Sequence, residues 1–451
     1  MRTIEIRIAA LKYISLLLAI ALALLKVSIV IKTTPIIDVF DTPSFFNFKI
    51  IGGIRMPGIT LIYSVLESYE SIALFQTLIS SISWISLSQV IFKLKFNRYI
   101  TFISSLLILM LGFSDQVVFL DGLMNAESLN VSFLVLFISA CILFYTKKGT
   151  FYILLCIITM GLYASVKSIN GISILVPATF FIFYLFKKNK FSDKFSNFVV
   201  IYTLFTGIFS AYLFTNIDAT PIMNTSALIN QRLWNVESWK DYTLQKGFPI
   251  EGRSTYLRFL NRNLGLAPDR AVSEQPDYKK WYSNGGDKFI VNFMLSHPDY
   301  LLFAPLALSV YSEKLDLSTS IWGGAARGVL NYEALNEDIV MKWPGLTFFW
   351  NENRTLSYLI FSIFLVVIGV SLLYSKKLTH AQKEFKSFIA LLMIFAFEIS
   401  YLSWWFGSTP SDIGRHQFPF GVLIRVLFIL SFMQISQLIF ERLSIRTKPL
   451  S

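Results

Sequence analysis

Two short stretches near the front of the chain carry side chains able to move a proton or hold an anion. Phe40-Asp41-Thr42-Pro43-Ser44-Phe45-Phe46 follows the first long apolar run. A carboxylate there can take a proton from a hydroxyl or hold a divalent metal. Asp-Thr-Pro is also good turn chemistry, and taken alone Asp41 reads more readily as a turn or capping residue. Asp38 is a second carboxylate in the same place. Arg55-Met56-Pro57-Gly58 then sets a guanidinium where it could grip a phosphate through paired hydrogen bonds. An arginine anchoring a span end at the interface is the commoner use of that position.

The elements that must position these residues are membrane helices. The 451 residues are 54% hydrophobic and 15% charged, with a mean hydropathy of +0.58, far from a soluble average. A crossing helix takes roughly 20 apolar residues. Spans are expected near 8–31, 70–92, 99–114, 128–146, 150–166, 169–186, 198–215, 355–375, 387–405 and 418–440. That makes an all-α polytopic membrane protein of about ten helices. Its domains would be an N-terminal transmembrane module (1–215), a mixed, mostly helical extracytoplasmic insertion (216–353) and a C-terminal transmembrane module (354–451).

Charge orients the chain. The net charge is +12, yet the insertion holds 15 acidic residues and 13 Lys or Arg, so the excess lies outside it. It gathers in alternate short connections, among them Lys93, Lys95 and Arg98; Lys147 and Lys148; and Lys376, Lys377, Lys383 and Lys386. The positive-inside rule puts these, and both termini, in the cytoplasm and the insertion outside. Basic residues scattered through short loops are no nucleic-acid footprint. The first apolar run is too long for an ordinary signal-peptide core and reads as a retained helix. Cys141 and Cys156 fall inside apolar spans, as small buried hydrophobes rather than a disulfide.

Six of the nine tryptophans lie in the insertion: Trp234, Trp239, Trp281, Trp322, Trp343 and Trp350. They suit a folded module, since disordered tails are aromatic-poor. They could line a sugar cleft, form a core or belong to an interface belt. Phe289–Tyr311 suits a pair of short helices lying on the membrane. Ile59–Leu66, too short to cross, suits a helix along the outer interface. Glu398 and Arg425 sit at similar depth in adjacent antiparallel spans, where pairing would relieve two costly charges.

Several short elements, taken in order, resemble the polytopic glycosyltransferases that use lipid-linked sugars (GT-C type), which include the protein O-mannosyltransferases and the bacterial aminoarabinose transferase of lipid A. They are Asp41-Thr42-Pro43-Ser44-Phe45, Arg55-Met56-Pro57-Gly58, Gln76, Asn125-Ala126-Glu127-Ser128-Leu129, His297-Pro298-Asp299-Tyr300-Leu301 and Arg415-His416-Gln417-Phe418-Pro419. Ala126 and His416 depart from the serine and tyrosine of that pattern, and the paired acids of the protein mannosyltransferases are not reproduced. The resemblance implies inverting transfer of a sugar from a polyprenyl-phosphate carrier to a glycan, lipid or protein acceptor outside a bacterial plasma membrane. It implies Asp41 as general base, with Asp38 behind it. Arg415, Arg55, Lys167 and His416 would then face the donor phosphate, where fixed cations lower the barrier.

Glu127 would position the acceptor or complete a divalent-metal site with Asp41. As a first-turn glutamate it also suits the helix dipole, and Lys167 suits a snorkelling interface residue equally well. The three histidines show no ligand spacing. A repeat-unit polymerase has the same layout of spans and loop. A transporter or flippase is less favoured, since no inverted repeat is visible.

Overall fold

The computed structural model describes residues 2–37, 42–49, 55–94, 96–147, 149–174, 220–262, 268–306, 354–374, 380–406 and 410–446, with single residues 177 and 208. The described residues are helical apart from turns and one two-residue β-bridge. Among the described residues, five helices are long and apolar enough to cross a membrane, or six if one bent pair counts as a single span. The chain is thus an all-α protein with the make-up of a polytopic membrane protein.

The first helix, α1 (Arg2–Lys32), contains neither glycine nor proline and ends at Thr33-Thr34-Pro35, where the residue before proline is pushed out of helical geometry. Leu17, Leu24 and Ile31 are about two-thirds exposed on its flank, as a lipid-facing helix requires. After it come α2 (Thr42–Phe45), α3 (Pro57–Leu66) and α4 (Tyr69–Val90). The buried face of α4 is lined by Gln76, Thr77, Ser80, Ser81, Ser83 and Ser88, small polar residues that let membrane helices approach closely. The bent pair, α5 (Arg98–Gly112) and α6 (Asp115–Gly122), turns by 43°. Then follow α7 (Glu127–Lys147), α8 (Thr150–Val166) and α9 (Ser168–Ser173). The spans expected at 169–186 and 198–215 lie mostly outside the described residues, and α8 is shorter than a full crossing.

The described part of the insertion folds as α10 (Thr220–Gln231), α11 (Glu237–Gln245), α12 (Ile250–Arg262), α13 (Pro268–Ser273), α14 (Pro276–Ser283) and α15 (Phe289–Ser296). Its core joins Trp239, Phe248, Tyr278, Phe293 and Tyr300. Trp234, Trp239 and Trp281 therefore serve packing at least in part, while Trp322, Trp343 and Trp350 lie outside the described residues. Of the pair of short helices expected over 289–311, α15 is present and a single helical turn follows at Asp299–Phe303, with Val291, Leu295, Leu302 and Phe303 exposed; 307–311 lie outside the described residues.

Three more helices close the bundle: α16 (Arg354–Leu373), α17 (His380–Phe406) and α18 (Pro410–Arg446). Trp404 of α17 belongs to the core of the insertion. Arg232 donates to its carbonyl at 2.6 Å and stacks 3.8 Å from its ring. Trp405 Nε1 and Tyr401 Oη donate to the carbonyls of Leu301 and Leu302.

The helix ends sort into two poles. At the lower pole Gln437 accepts from the Asn97 amide, Gln382 donates to Glu441, and Tyr145 stacks near Phe388. The basic connections around Arg98, Lys147 and Arg442 gather there. The first turn of α7, the break between α8 and α9, and the insertion share the upper pole.

An ion pair absent from the sequence expectations sits inside the upper half. Lys26, in the C-terminal third of the apolar α1, meets Asp121 at 2.5 Å, with both side chains excluded from solvent. Lys26 also donates to Ser80, and Ser128 donates to Asp121. Conversely, Glu398 and Arg425 do not pair. Arg425 donates to the Gly421 carbonyl and lies over Phe364 of α16, whereas Glu398 Oε2 has no hydrogen-bond partner. Equal depth on neighbouring helices does not fix rotation about the helix axis, and these two side chains point to different neighbours. Cys141 and Cys156 are buried and free, in contact across α7 and α8.

Lys26→Met leaves Asp121 buried beside no cation, a change worth about 3–5 kcal/mol. The purified variant should unfold at a clearly lower temperature in detergent, and the double variant Lys26→Met/Asp121→Asn should regain most of the loss. An unaltered melting temperature for Lys26→Met would exclude a structural role for the pair.

Candidate functional site

The upper ends of α7, α8 and α18 bring three residues named from the sequence into contact. Lys167 Nζ lies 2.5 Å from Glu127 Oε1 and 3.0 Å from His416 Nδ1. Each comes from a helix end with its own local cause. Asn125 Oδ1 accepts from the Glu127 amide at 3.0 Å and so starts α7, satisfying one of the orphan donors of a first turn. Lys167 is a single extended residue (φ −136°, ψ 140°) between α8 and α9. Asn170 spans that break, donating to the Tyr163 carbonyl and to Asn130 Oδ1, both at 2.8 Å. The carbonyl of His416 accepts from Ser403 Oγ at 2.9 Å, tying α18 to α17.

The electrostatics are those of a shielded pair with an imidazole beside it. Glu127 is 2% exposed and Lys167 12%. An ammonium can only donate, so His416 Nδ1 accepts and the imidazole proton sits on Nε2. Lys167 and His416 line a small cleft that continues between Asn130, Tyr163, Asn170 and Ser403, with Glu127 behind the lysine. A cation and an imidazole so placed suit an oxyanion arriving from the upper side.

The first loop is fastened to the same corner. Ile36 and Leu123 form a parallel bridge, with Ile36 N donating to the Gly122 carbonyl and Met124 N to the Ile36 carbonyl. Thr42 Oγ1 donates to the Met124 carbonyl at 2.7 Å. Tyr63 Oη donates to the Asn125 carbonyl; burial, and then the nearby Glu127 charge, push that phenol well above its ordinary value. Gln76 donates to the carbonyls of Asp121 and Leu123. Both neighbours of the segment carrying Asp38 and Asp41 are thus pinned to the residues preceding Glu127. Asp38 and Asp41 themselves lie outside the described residues.

Arg55 is not in this contact. Its Nε donates to Ser44 Oγ at 2.8 Å and its guanidinium lies 5.1 Å from the Phe45 ring. The residues after it do reach the site: a Cβ on Gly58 would fall 2.3 Å from Ser165 Oγ and 2.6 Å from the Ser165 carbonyl oxygen. Pro57 opens α3 and Gly58 lets it lie against the chain two residues before Lys167. Arg415 belongs to α18 by its backbone, and its side chain lies outside the described residues. Among the described residues, no three His, Cys, Asp or Glu side chains group as metal ligands. The metal site expected from Asp41 with Glu127 includes an undescribed residue.

Four contributors escaped the sequence reading: Lys26, Tyr63, Asn130 and Asn170. Lys26 and Asn130 had a usable signal, because a charge or an amide inside an apolar run is costly without a partner. Tyr63 and Asn170 carried none.

Gly58→Ala should force α3 away from α8 and lower stability by about 1–3 kcal/mol, an overpacking cost. Gly58→Ala with Ser165→Gly should not recover fully, because the obstructing carbonyl remains. A melting temperature equal to that of the parent would exclude the close contact. No protein-family model matches the chain, and the curated proteins contain no match to it.

Proposed function

We propose that this protein is an inverting glycosyltransferase of about ten spans, set in a bacterial plasma membrane with both termini cytoplasmic. It would move a sugar from a polyprenyl-phosphate carrier to a glycan, lipid or protein acceptor on the outer side, the upper pole. The observation that carries this reading is the meeting of Glu127, Lys167 and His416 at one corner, with Thr42 tethered three residues before that carboxylate's helix.

In the proposed reaction Asp41, or Asp38 in its place, takes the proton from an acceptor hydroxyl as its oxygen bonds to the anomeric carbon. The bond from that carbon to the phosphate oxygen breaks, and the polyprenyl phosphate leaves with the electron pair. Lys167 and His416, and by the resemblance Arg415 and Arg55, would offset the charge gained by the phosphate. Glu127 would hold Lys167 in position. Exposed Val291, Leu295, Leu302 and Phe303 suit a module that rests on lipid beside the entrance.

The test is transfer from a radiolabelled undecaprenyl-phosphate hexose in membranes, alongside the surface glycan of producing cells. Asp41→Asn should cut transfer by roughly 100-fold or more, the usual weight of a general base. Glu127→Gln/Lys167→Met, which removes both charges together, should also abolish it at normal protein level. An intact glycan in both variants would overturn the assignment, loss of long repeats alone would show a polymerase, and accumulation of donor on the inner leaflet would show a flippase.

A further inference from the structure

The insertion carries a second concave site, remote in sequence from Glu127, Lys167 and His416, and its shape and lining point to a sugar chain. It is an open cleft of about 510 Å³ between α11, α14 and α15, within the range of roughly 300–1,000 Å³ usual for ligand pockets. Trp281 is one of its lining residues. The indole Nε1 donates to the Lys246 carbonyl at 2.8 Å, and the rings of Phe248, Tyr278 and Phe289 pack against it at 5.4–5.6 Å. An aromatic ring braced in this way offers its surface without losing freedom when something binds.

Three glycines lie among the side chains that line it. Gly247 (φ +74°) lies on one side, where a Cβ would come no nearer than 3.9 Å to the indole. Gly285 (φ +118°) and Gly286 form the other lip, and a Cβ on Gly286 would drive into the six-membered ring at 2.8 Å. Glycine satisfies the left-handed backbone at Gly247 and Gly285, and at Gly286 it leaves room for the indole. The rim carries polar side chains of both kinds: Asp277 as an acceptor, Lys246 and Lys280 as donors, and the amides of Asn284 and Asn292, which both give and accept. All five are exposed.

Tyr242, Pro249 and Phe289 add apolar surface beside Trp281, so the cleft sets an apolar floor against a polar rim. A pyranose has an apolar C–H face and a girdle of hydroxyls that alternate as donor and acceptor. We infer that the cleft is a carbohydrate subsite in which Trp281 takes the ring face of a glycan and Asp277, Asn284 and Asn292 take its hydroxyls. The two lysines against one acid leave the rim net positive, so a chain bearing carboxylate or phosphate groups binds there more tightly than a neutral one. This inference does not need the transferase reading, since a polymerase or an export protein would use the same subsite.

The experiment is ligand-observed saturation-transfer NMR on the full chain in nanodiscs, with chitotetraose and a polygalacturonate tetramer as probes and an Ala/Gly/Ser tetrapeptide as control. Both sugars should show transfer to their ring C–H protons, the charged one more strongly at low salt, and the tetrapeptide none. Trp281→Ala should weaken binding by about five-fold or more. The rim variant Asn284→Ala/Asn292→Ala, which leaves every core ring in place, should weaken it without altering the melting temperature. Absence of transfer to either sugar, equal transfer to the peptide, or undiminished binding by the rim variant would overturn the subsite. The undecaprenyl-phosphate hexose assay of these variants is read separately, so loss of the subsite and loss of transfer are distinguishable.

Discussion

The upper half of the bundle is organised around one buried charge pair. Lys26 and Asp121 meet at 2.5 Å with no access to solvent, and the cost of drying two ions is offset only if geometry and extra hydrogen bonds are good. Here Ser80 and Ser128 supply those bonds. The pair fixes the end of α6 against α1, and the chain leaving α6 must then run past Gln76, which takes the carbonyls of Asp121 and Leu123. Seven residues after Asp121, Ser128 returns to it from the first turn of α7. The first loop, the end of α6 and the start of α7 are therefore one assembly, and Glu127 is placed by it.

Lys167 reaches that carboxylate because the helix is interrupted where it stands. An unbroken run from α8 into α9 would carry the lysine around a helical surface, with its backbone groups spent on the helix. The extended residue instead frees carbonyls at the end of α8, and Asn170 takes one of them while holding Asn130 of α7. The break is stabilised by the same side chains that shape the cleft behind it. Helix interruptions over polar cavities are the form in which membrane proteins tolerate irregular backbone.

The long apolar runs were legible in the sequence because lipid demands a nearly unmixed composition over 20 residues or so. Glu127, Lys167 and His416 were also legible, each as an expensive polar residue at a span end, and they turn out to touch. Their contacts were not legible, since they join positions 40 and 249 residues apart. Lys26 was lost in an average: one charge barely lowers the hydropathy of the 23-residue run around it. Glu398 and Arg425 fail differently. Depth along a span follows from counting residues, but the direction a side chain faces follows from packing, and Arg425 found Phe364.

Trp404 sits beside Ser403 on α17, and the two residues face separate clients. The indole is built into the core of the insertion, gripped by Arg232 and Tyr300, while the hydroxyl next door holds the His416 backbone. One peptide bond therefore couples the attitude of the whole insertion to the imidazole that touches Lys167. A tilt of the insertion would therefore shift the His416 backbone first and its imidazole with it, giving the module a lever on the charged corner beside it.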